Sequence, residues 1–173
     1  MQHRWLRGPS SSLCYRNWLI EERSLTARLQ QKYSDFYVMP VNIGYEKPAP
    51  EEVAALHVPA GERVQIREVL LYGGGRPVVF AHSVLPRKSL HSEWQGLGRL
   101  GSRPLGAVLF ASPKVKRTPL SYKKLSPNHA LYKKAARHLP EKPDYLWARR
   151  SVFSLNCASI MVVEVFLPDI LAF

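Results

Sequence analysis

Cysteine is scarce in this sequence, which excludes the covalent frameworks that are common in small secreted domains. The 173 residues include only Cys14 and Cys157, with no Cys-x-x-Cys pair and no Cys/His cluster at zinc spacing. We therefore expect two reduced thiols in a reducing compartment and no metal site. Because apolar residues make up 46% of the chain, a single domain can fold around its own core.

Long apolar runs are also missing. The most apolar segment, Ile160 to Leu167, contains Glu164 and is far shorter than the ~20 residues of a membrane helix. Near the N-terminus, basic residues precede Gly-Pro-Ser-Ser-Ser instead of the apolar core of a signal peptide. These features predict a cytoplasmic protein without stable membrane insertion.

Acidic residues are few relative to basic ones, with 13 Asp and Glu against 25 Lys and Arg and a formal net charge of +12. Such an excess attracts polyanions, membrane surfaces or small anionic ligands, or it serves only solubility. The basic, aromatic stretch at residues 114–134 contains no recognisable nucleic-acid motif, so we expect no nucleic-acid partner.

The motifs of several enzyme classes are absent as well. The sequence contains no GxSxG, HExxH, P-loop or dinucleotide-binding fingerprint. Gly73, Gly74 and Gly75 follow a predicted strand but lead into another strand, which is typical of a turn and not of a phosphate-binding loop.

Periodicity predicts more strand than helix. The spacing of Trp18, Leu25 and Leu29 predicts a helix over residues 17–32 that breaks near Ser24. Further predicted helices are 50–56, part of 89–100, 104–110 and 126–138, the last with Ser126 as N-cap. The predicted strands are two hairpins, 64–72 with 77–85 and 146–155 with 159–167, and two irregular or edge strands that contain proline, 37–45 and 115–124.

Short turns between consecutive strands favour an antiparallel sheet. We predict one α+β domain over residues 17–173, with helices packed to one side of the sheet and residues 1–16 as a loose arm. We expect the protein to be a monomer.

Three polar residues in the predicted strands are candidates for a site. Glu164 is the one charged residue in an apolar strand, so it lies either in water at an edge or in an enclosed pocket. Arg67 offers a bidentate fork for a carboxylate, or it forms a salt bridge with Glu68 or another surface acid. If the turn spans residues 73–76, His82 lies opposite Arg67 on the same face.

Five segments, in order from about residue 17 to 168, resemble the chorismate pyruvate-lyase (chorismate lyase) family. The segments are WLIEERSLTARLQ, IREVLLYGGGRPVVFAHSVLP, RPLGAVLFAS, YLWARRSVF and VVEVFLP. The resemblance implies a sheet of about six antiparallel strands, with helical flaps that close over a buried ligand. It also implies cofactor-independent conversion of chorismate to 4-hydroxybenzoate and pyruvate, the first step of ubiquinone biosynthesis.

The resemblance also implies site residues. Arg67 would hold a ligand carboxylate and Glu164 would face the ring oxygen, and both would be catalytic. Leu105 would supply a backbone contact, and Leu25 would line the pocket where the family often has methionine. Many members have a second arginine in the hairpin where this chain has His82; a neutral histidine would bind an anion more weakly, and a protonated one would replace part of the arginine's charge.

Two non-catalytic alternatives stay open. The family's fold also resembles the effector-binding domain of certain bacterial transcription regulators, which normally follows a winged helix for which there is no room before residue 17. Alternatively, the chain is a degenerate lyase that binds 4-hydroxybenzoate without turnover.

Overall fold

A computed structural model describes residues 4–172 as one seven-stranded antiparallel sheet with helices on both faces. The strand order is β1-β2-β3-β7-β6-β4, and β5 also pairs with β6. The strands are β1 (Tyr37–Glu46), β2 (Val64–Gly73), β3 (Arg76–Leu85), β4 (Lys116–Arg117), β5 (Ser121–Leu125), β6 (Leu146–Leu155) and β7 (Ala158–Phe166). The α-helices are α1 (Arg16–Leu19), α2 (Leu25–Lys32), α3 (Pro50–Leu56), α4 (Arg87–Leu90), α5 (Leu105–Leu109) and α6 (Ala130–Ala136), and short 3-10 turns lie at Leu13–Tyr15, Leu97–Arg99 and Pro168–Leu171.

Both predicted hairpins and the α+β class are confirmed. In the first turn Gly74 and Gly75 have φ values of 63° and 73°, which favour glycine, and their N–H groups donate to the Asp35 carboxylate at 2.9 Å each. The sheet has seven strands instead of about six, because the predicted strand over 115–124 is two short strands separated by Pro119.

The register of the first hairpin differs from the prediction by one residue. Tyr72 does pair with Pro77, but Leu71 pairs with Val79, so the ladder shifts at this point. Since Pro77 has no N–H to continue the ladder, a bulge here has a simple cause. A shift of one residue changes the face of the partner residues, and Arg67 lies opposite Ser83 instead of His82.

Two helix predictions had different outcomes. The predicted break near Ser24 is confirmed, because Ser24 caps α2 by accepting a hydrogen bond from the Ala27 N–H. The prediction that Ser126 caps the last helix is wrong. His129 is the N-cap of α6, and its side chain accepts from the Leu131 N–H.

The helices cover both faces of the sheet, so the prediction of helices on one side is wrong. On one face α3 and α6 pack against β-strand residues such as Ile66 and Phe80. On the other face α1 and α2 pack over Val69 and Leu71, and α5 packs near Phe153. The three strands β2, β3 and β7 are therefore buried on both faces, which explains their nearly continuous apolar sequence.

The segment before α1 contacts the domain. The Trp5 side chain is buried, and the Leu6 and Tyr122 backbones exchange two hydrogen bonds. Trp5 and Leu6 therefore contact the domain, while the loose arm and the domain boundary at residue 17 stay predictions. Within residues 4–172, no helix has the length and apolar character needed to cross a membrane.

Candidate functional site

An enclosed cavity lies between the sheet and the helices α2 and α5. The volume that the centre of a water-sized sphere can occupy in it is about 50 Å³. Its apolar lining consists of Leu25, Val38, Val69, Leu71, Ala81, Pro104, Leu105, Gly106, Leu109, Phe110, Phe153 and Val162. Its polar lining consists of Ser24, Thr26, Arg67, Ser83, Arg117 and Glu164. A largely apolar cavity with a few convergent polar groups is typical of a small-molecule site.

The floor of the cavity follows from the strand register. Ala81 of β3 lies opposite Glu164 of β7, and Ser83 lies opposite Arg67 of β2. Because Ala81 and Ser83 are small, the strand between the two candidate residues leaves room above the sheet. The structure therefore brings Arg67 and Glu164 to one face, on either side of this gap.

Arg67 is a buried cation without an acidic partner. Its guanidinium donates to the carbonyl oxygens of Gly101 at 2.8 Å and Arg103 at 3.0 Å. No carboxylate of residues 4–172 lies within 4.0 Å of it, and Glu68 lies on the opposite face of the sheet. Burial lowers the pKa of Arg67. A buried, oriented guanidinium of this kind can bind a ligand carboxylate.

Glu164 lies in the pocket and forms a salt bridge with Arg149 of β6. Arg149 is fully buried, and its Nε donates to Glu164 Oε2 at 2.5 Å. The Nη1 of Arg149 donates to the carbonyl oxygens of Trp18, Leu19 and Glu21. Arg149 thus holds the Glu164 carboxylate and the end of α1 in one network. The prediction that Glu164 faces an enclosed pocket, and not water at an edge, agrees with this position.

Leu25 and Leu105 are the first residues of α2 and α5, the two helices that cover the cavity. Backbone N–H groups in a first helical turn have no intrahelical acceptor, so they are available to a ligand oxygen. The two helices also approach closely, because a Cβ at Gly106 would lie 3.0 Å from Thr26 Oγ1. Together they form the cover that the predicted helical flaps would provide.

His82 does not line the cavity, so the predicted position of His82 opposite Arg67 is wrong, and the cavity gives no support to a possible ligand contact at His82. The bulge turns its side chain to the opposite face, where Nδ1 lies 2.8 Å from Glu68 and Nε2 lies 2.7 Å from Glu52. Lys134 Nζ donates to Glu68 at 2.6 Å. When both ring nitrogens face carboxylates, both donate only if the imidazole is protonated. His82 therefore belongs to a structural charge network that joins α3 and α6 to the sheet.

This network predicts a pH-dependent stability. Burial is the largest effect on the pKa of His82 and lowers it, but hydrogen bonds to Glu52 and Glu68 outweigh burial and raise the pKa above 6.5. Glu68 shows the reverse, since its hydrogen bonds outweigh burial and lower its pKa from 4.5 to about 2. The contribution of His82 to the free energy of unfolding is fully present below pH 6.5 and is lost as pH rises through the folded pKa of His82. The contribution of Glu68 is present above pH 4.5 and is lost as pH falls from there through its folded pKa.

We expect the free energy of unfolding of the wild type, minus that of His82→Gln, to fall above pH 6.5. The slope should reach up to about 1.4 kcal/mol per pH unit, the value for one proton. Urea titrations of both proteins from pH 6 to pH 9 measure this difference. A difference that stays constant over this range would show that His82 does not bind its extra proton in the folded protein.

Two residues of the site, Arg149 and Arg117, were not predicted from the sequence. Arg117 of β4 lines the cavity, and its Nε donates to Ser151 Oγ at 2.8 Å. Burial lowers the pKa of Arg117, and the nearby Glu164 charge acts in the opposite direction. Arg117 belonged to a basic segment that resembled a solvated edge strand. Strand alternation from Arg149 to Ser151 and Phe153 was the available signal for a buried Arg149.

Comparisons by sequence connect the whole chain to known proteins. A family model described as "Chorismate lyase" matches residues 4–172. A protein of Methylobacillus flagellatus named "Probable chorismate pyruvate-lyase" is 46% identical over 171 residues, which cover 99% of this chain and 96% of that protein. Proteins of the same name from Thiobacillus denitrificans and Nitrosospira multiformis are 44% and 47% identical and cover 99% and 96% of this chain, and 92% and 94% of their own lengths.

Comparison with solved structures shows the fold. The effector domain of PhnF from Mycobacterium smegmatis superposes with a TM-score of 0.59 and 14% identity, covering 85% of this chain and 90% of that one. A transcriptional regulator of the GntR family from Enterococcus faecalis gives a TM-score of 0.54 and 12% identity, covering 76% of this chain and 88% of that one. At this level of identity the likeness concerns the fold alone.

Proposed function

Because the chain belongs to the chorismate lyase family, we propose that it converts chorismate to 4-hydroxybenzoate and pyruvate in the cavity beneath α2 and α5. The observation that carries the proposal is Arg67, a buried cation of an enclosed pocket without a carboxylate partner in the described part of the chain. A site built in this way favours a small anion. The relatives' names supply the identity of that anion.

The reaction breaks one carbon–oxygen bond and makes the ring aromatic. The ether bond between the ring and the enolpyruvyl group breaks, and the proton on the neighbouring ring carbon, which carries the hydroxyl, is lost. The electron pair of that carbon–hydrogen bond becomes part of the aromatic ring, and a proton on the methylene carbon of enolpyruvate gives pyruvate. Because aromatisation supplies the driving force, the protein's contribution is positioning and charge stabilisation, and no cofactor is required.

The roles of the site residues follow from their places in the cavity. We assign the ring carboxylate to Arg67, which can donate two parallel hydrogen bonds. We assign the ring hydroxyl to Glu164, whose carboxylate can accept a hydrogen bond or take up a proton. Leu105 contributes a backbone contact, and Leu25 covers the ring. Apolar walls exclude water and strengthen each electrostatic contact.

Glu164→Gln tests the second role. We expect kcat for chorismate to fall about 100-fold, the lower end of the range for a positioned acid or base, while KM changes little. The glutamine oxygen can still accept from Arg149, so the fold should be retained. Glu141→Gln, at an exposed position, is the matched control. Full activity of Glu164→Gln would exclude an acid or base role for this residue.

The proposal as a whole is tested by incubating the purified protein with chorismate. We expect 4-hydroxybenzoate, measured by ultraviolet absorbance, and pyruvate, measured with lactate dehydrogenase and NADH, to appear in equal amounts. Tight binding of 4-hydroxybenzoate without release of pyruvate would instead support a ligand-binding protein. The place in ubiquinone biosynthesis, the cytoplasmic location, the monomeric state and the absence of a nucleic-acid partner stay predictions.

A further inference from the structure

One row of side chains crosses the floor of the cavity, with Arg67 at one end and a contact to Arg117 at the other. Arg67 on β2 lies opposite Ser83, Ser83 lies opposite Val162, and Val162 lies opposite Ser151 on β6. The row ends at Ser151, whose Oγ accepts from Nε of Arg117 at 2.8 Å, while the Arg117 backbone on β4 pairs with Phe153. Four steps between neighbouring strands separate the two arginines, or about 19 Å along the sheet at a spacing of about 4.8 Å. Both side chains line the cavity.

Arg117 is held in a fixed orientation. Besides Ser151, it binds the Glu22 carbonyl oxygen, to which Nη1 donates at 2.6 Å. Its guanidinium carbon lies 4.9 Å from the ring centre of Phe153 and 5.5 Å from that of Phe110. These two hydrogen bonds use two of the five N–H groups of a guanidinium, so others remain for a ligand.

Arg117 also lacks an acidic partner. No carboxylate within the part of the chain described, residues 4–172, approaches its nitrogens to 4.0 Å, and burial lowers its pKa. Glu164 is the one acidic residue that lines the cavity, and its charge is balanced by Arg149. The cavity is therefore lined by two arginines without a salt-bridge partner among the described residues, Arg67 and Arg117, and by one carboxylate that is paired with Arg149. The two guanidinium groups match a ligand with two negative charges.

We infer that Arg117 binds the carboxylate of the enolpyruvyl side chain and makes the site selective for the dianionic substrate over its monoanionic aromatic product. The inference rests on the proposed function and adds a specificity-determining residue to it. Arg67 binds the carboxylate that substrate and product share. Arg117 binds the carboxylate that leaves with pyruvate, so its contribution to affinity is lost when the ether bond breaks.

Arg117 has a second effect on the reaction through its position. As the ether bond breaks, negative charge develops on the departing enolpyruvyl oxygen, which is close to the side-chain carboxylate. A fixed cation at this end of the cavity stabilises that charge without reorganisation. Arg117 should therefore affect both KM and kcat for chorismate.

The variant Arg117→Gln tests the inference. We expect kcat/KM for chorismate to fall about 30-fold, the effect of losing a charge-assisted hydrogen bond, while the dissociation constant of 4-hydroxybenzoate changes less than about 3-fold. Arg117→Lys keeps the charge and should recover part of the loss. Lys116→Gln is the matched control, because Lys116 is the exposed neighbour on the same strand.

Equal losses of chorismate turnover and of 4-hydroxybenzoate affinity in Arg117→Gln would overturn the inference, as would no loss of either. A wild-type protein that does not turn over chorismate would refute the proposed function and leave Arg117 testable. In that case calorimetric titration of the wild type and Arg117→Gln with chorismate and with 4-hydroxybenzoate measures the same selectivity. A selective loss of chorismate affinity supports the inference, and a uniform loss or none contradicts it.

Discussion

Arg67→Ala is expected to weaken the binding of both 4-hydroxybenzoate and chorismate by about 3 kcal/mol, or about 150-fold. The physical reason is the position of Arg67, which is 3% exposed and whose guanidinium is oriented by two backbone carbonyl groups. A ligand carboxylate that enters the cavity without it loses its hydration and gains no counter-ion. Calorimetric titration with 4-hydroxybenzoate measures the loss directly, because no turnover complicates binding.

The fold should survive this change. Arg67 has no acidic partner in the described chain, so alanine leaves no carboxylate buried and unpaired. The control is Arg76→Ala, which removes an exposed arginine that pairs with Asp169 on the surface. We expect its affinity for 4-hydroxybenzoate to equal that of the wild type. If Arg67→Ala binds 4-hydroxybenzoate normally, the ring carboxylate is bound elsewhere and the assignment of Arg67 fails.

Arg149→Met is expected to lower the free energy of unfolding by about 4 kcal/mol, because it breaks a buried salt bridge by removing one partner. Methionine retains most of the buried volume, so the loss reports on polar contacts more than on a cavity. The variant leaves Glu164 without its cation and the carbonyl groups at the end of α1 without a donor. Urea unfolding followed by circular dichroism measures the change.

Arg150→Met is the matched control for this prediction. Arg150 is the next residue on β6, lies on the opposite face and approaches Glu51 only to 3.9 Å. A half-exposed pair of this kind contributes about 0–1 kcal/mol, so the control should lose much less stability than Arg149→Met. Equal losses in the two variants would show that the network of Arg149 with Glu164 and α1 does not stabilise the fold specifically.

Local chemistry explains which parts of the fold could be predicted from the sequence. Three features depend mainly on residues that are close in the sequence. They are the turn at Gly74 and Gly75, the cap at Ser24 and the edge position of the proline-containing strands. The register of β2 and β3 could not be derived in the same way. A bulge one residue beyond Pro77 moves His82 to the other face, and the alternation of side chains does not reveal an extra residue.

The site was predictable only in part. Arg67 and Glu164 were candidates because a charged residue in an apolar strand has a cost that function or pairing must offset. The pairing of Arg149 with Glu164 depends on contact between β6 and β7 in one particular register, and the place of Arg117 depends on a short edge strand. Both depend on contacts between residues that are far apart in the sequence, so periodicity along the chain could not predict them.

The central claim is that one enclosed anion pocket both converts chorismate and holds its aromatic product. The most direct measurement is the initial rate of pyruvate release from chorismate at increasing concentrations of added 4-hydroxybenzoate. The account predicts steady release of pyruvate and strong competitive inhibition, since product and substrate share the site at Arg67. No release of pyruvate would contradict it. A rate of pyruvate release that stays unchanged when added 4-hydroxybenzoate saturates the site would also contradict it.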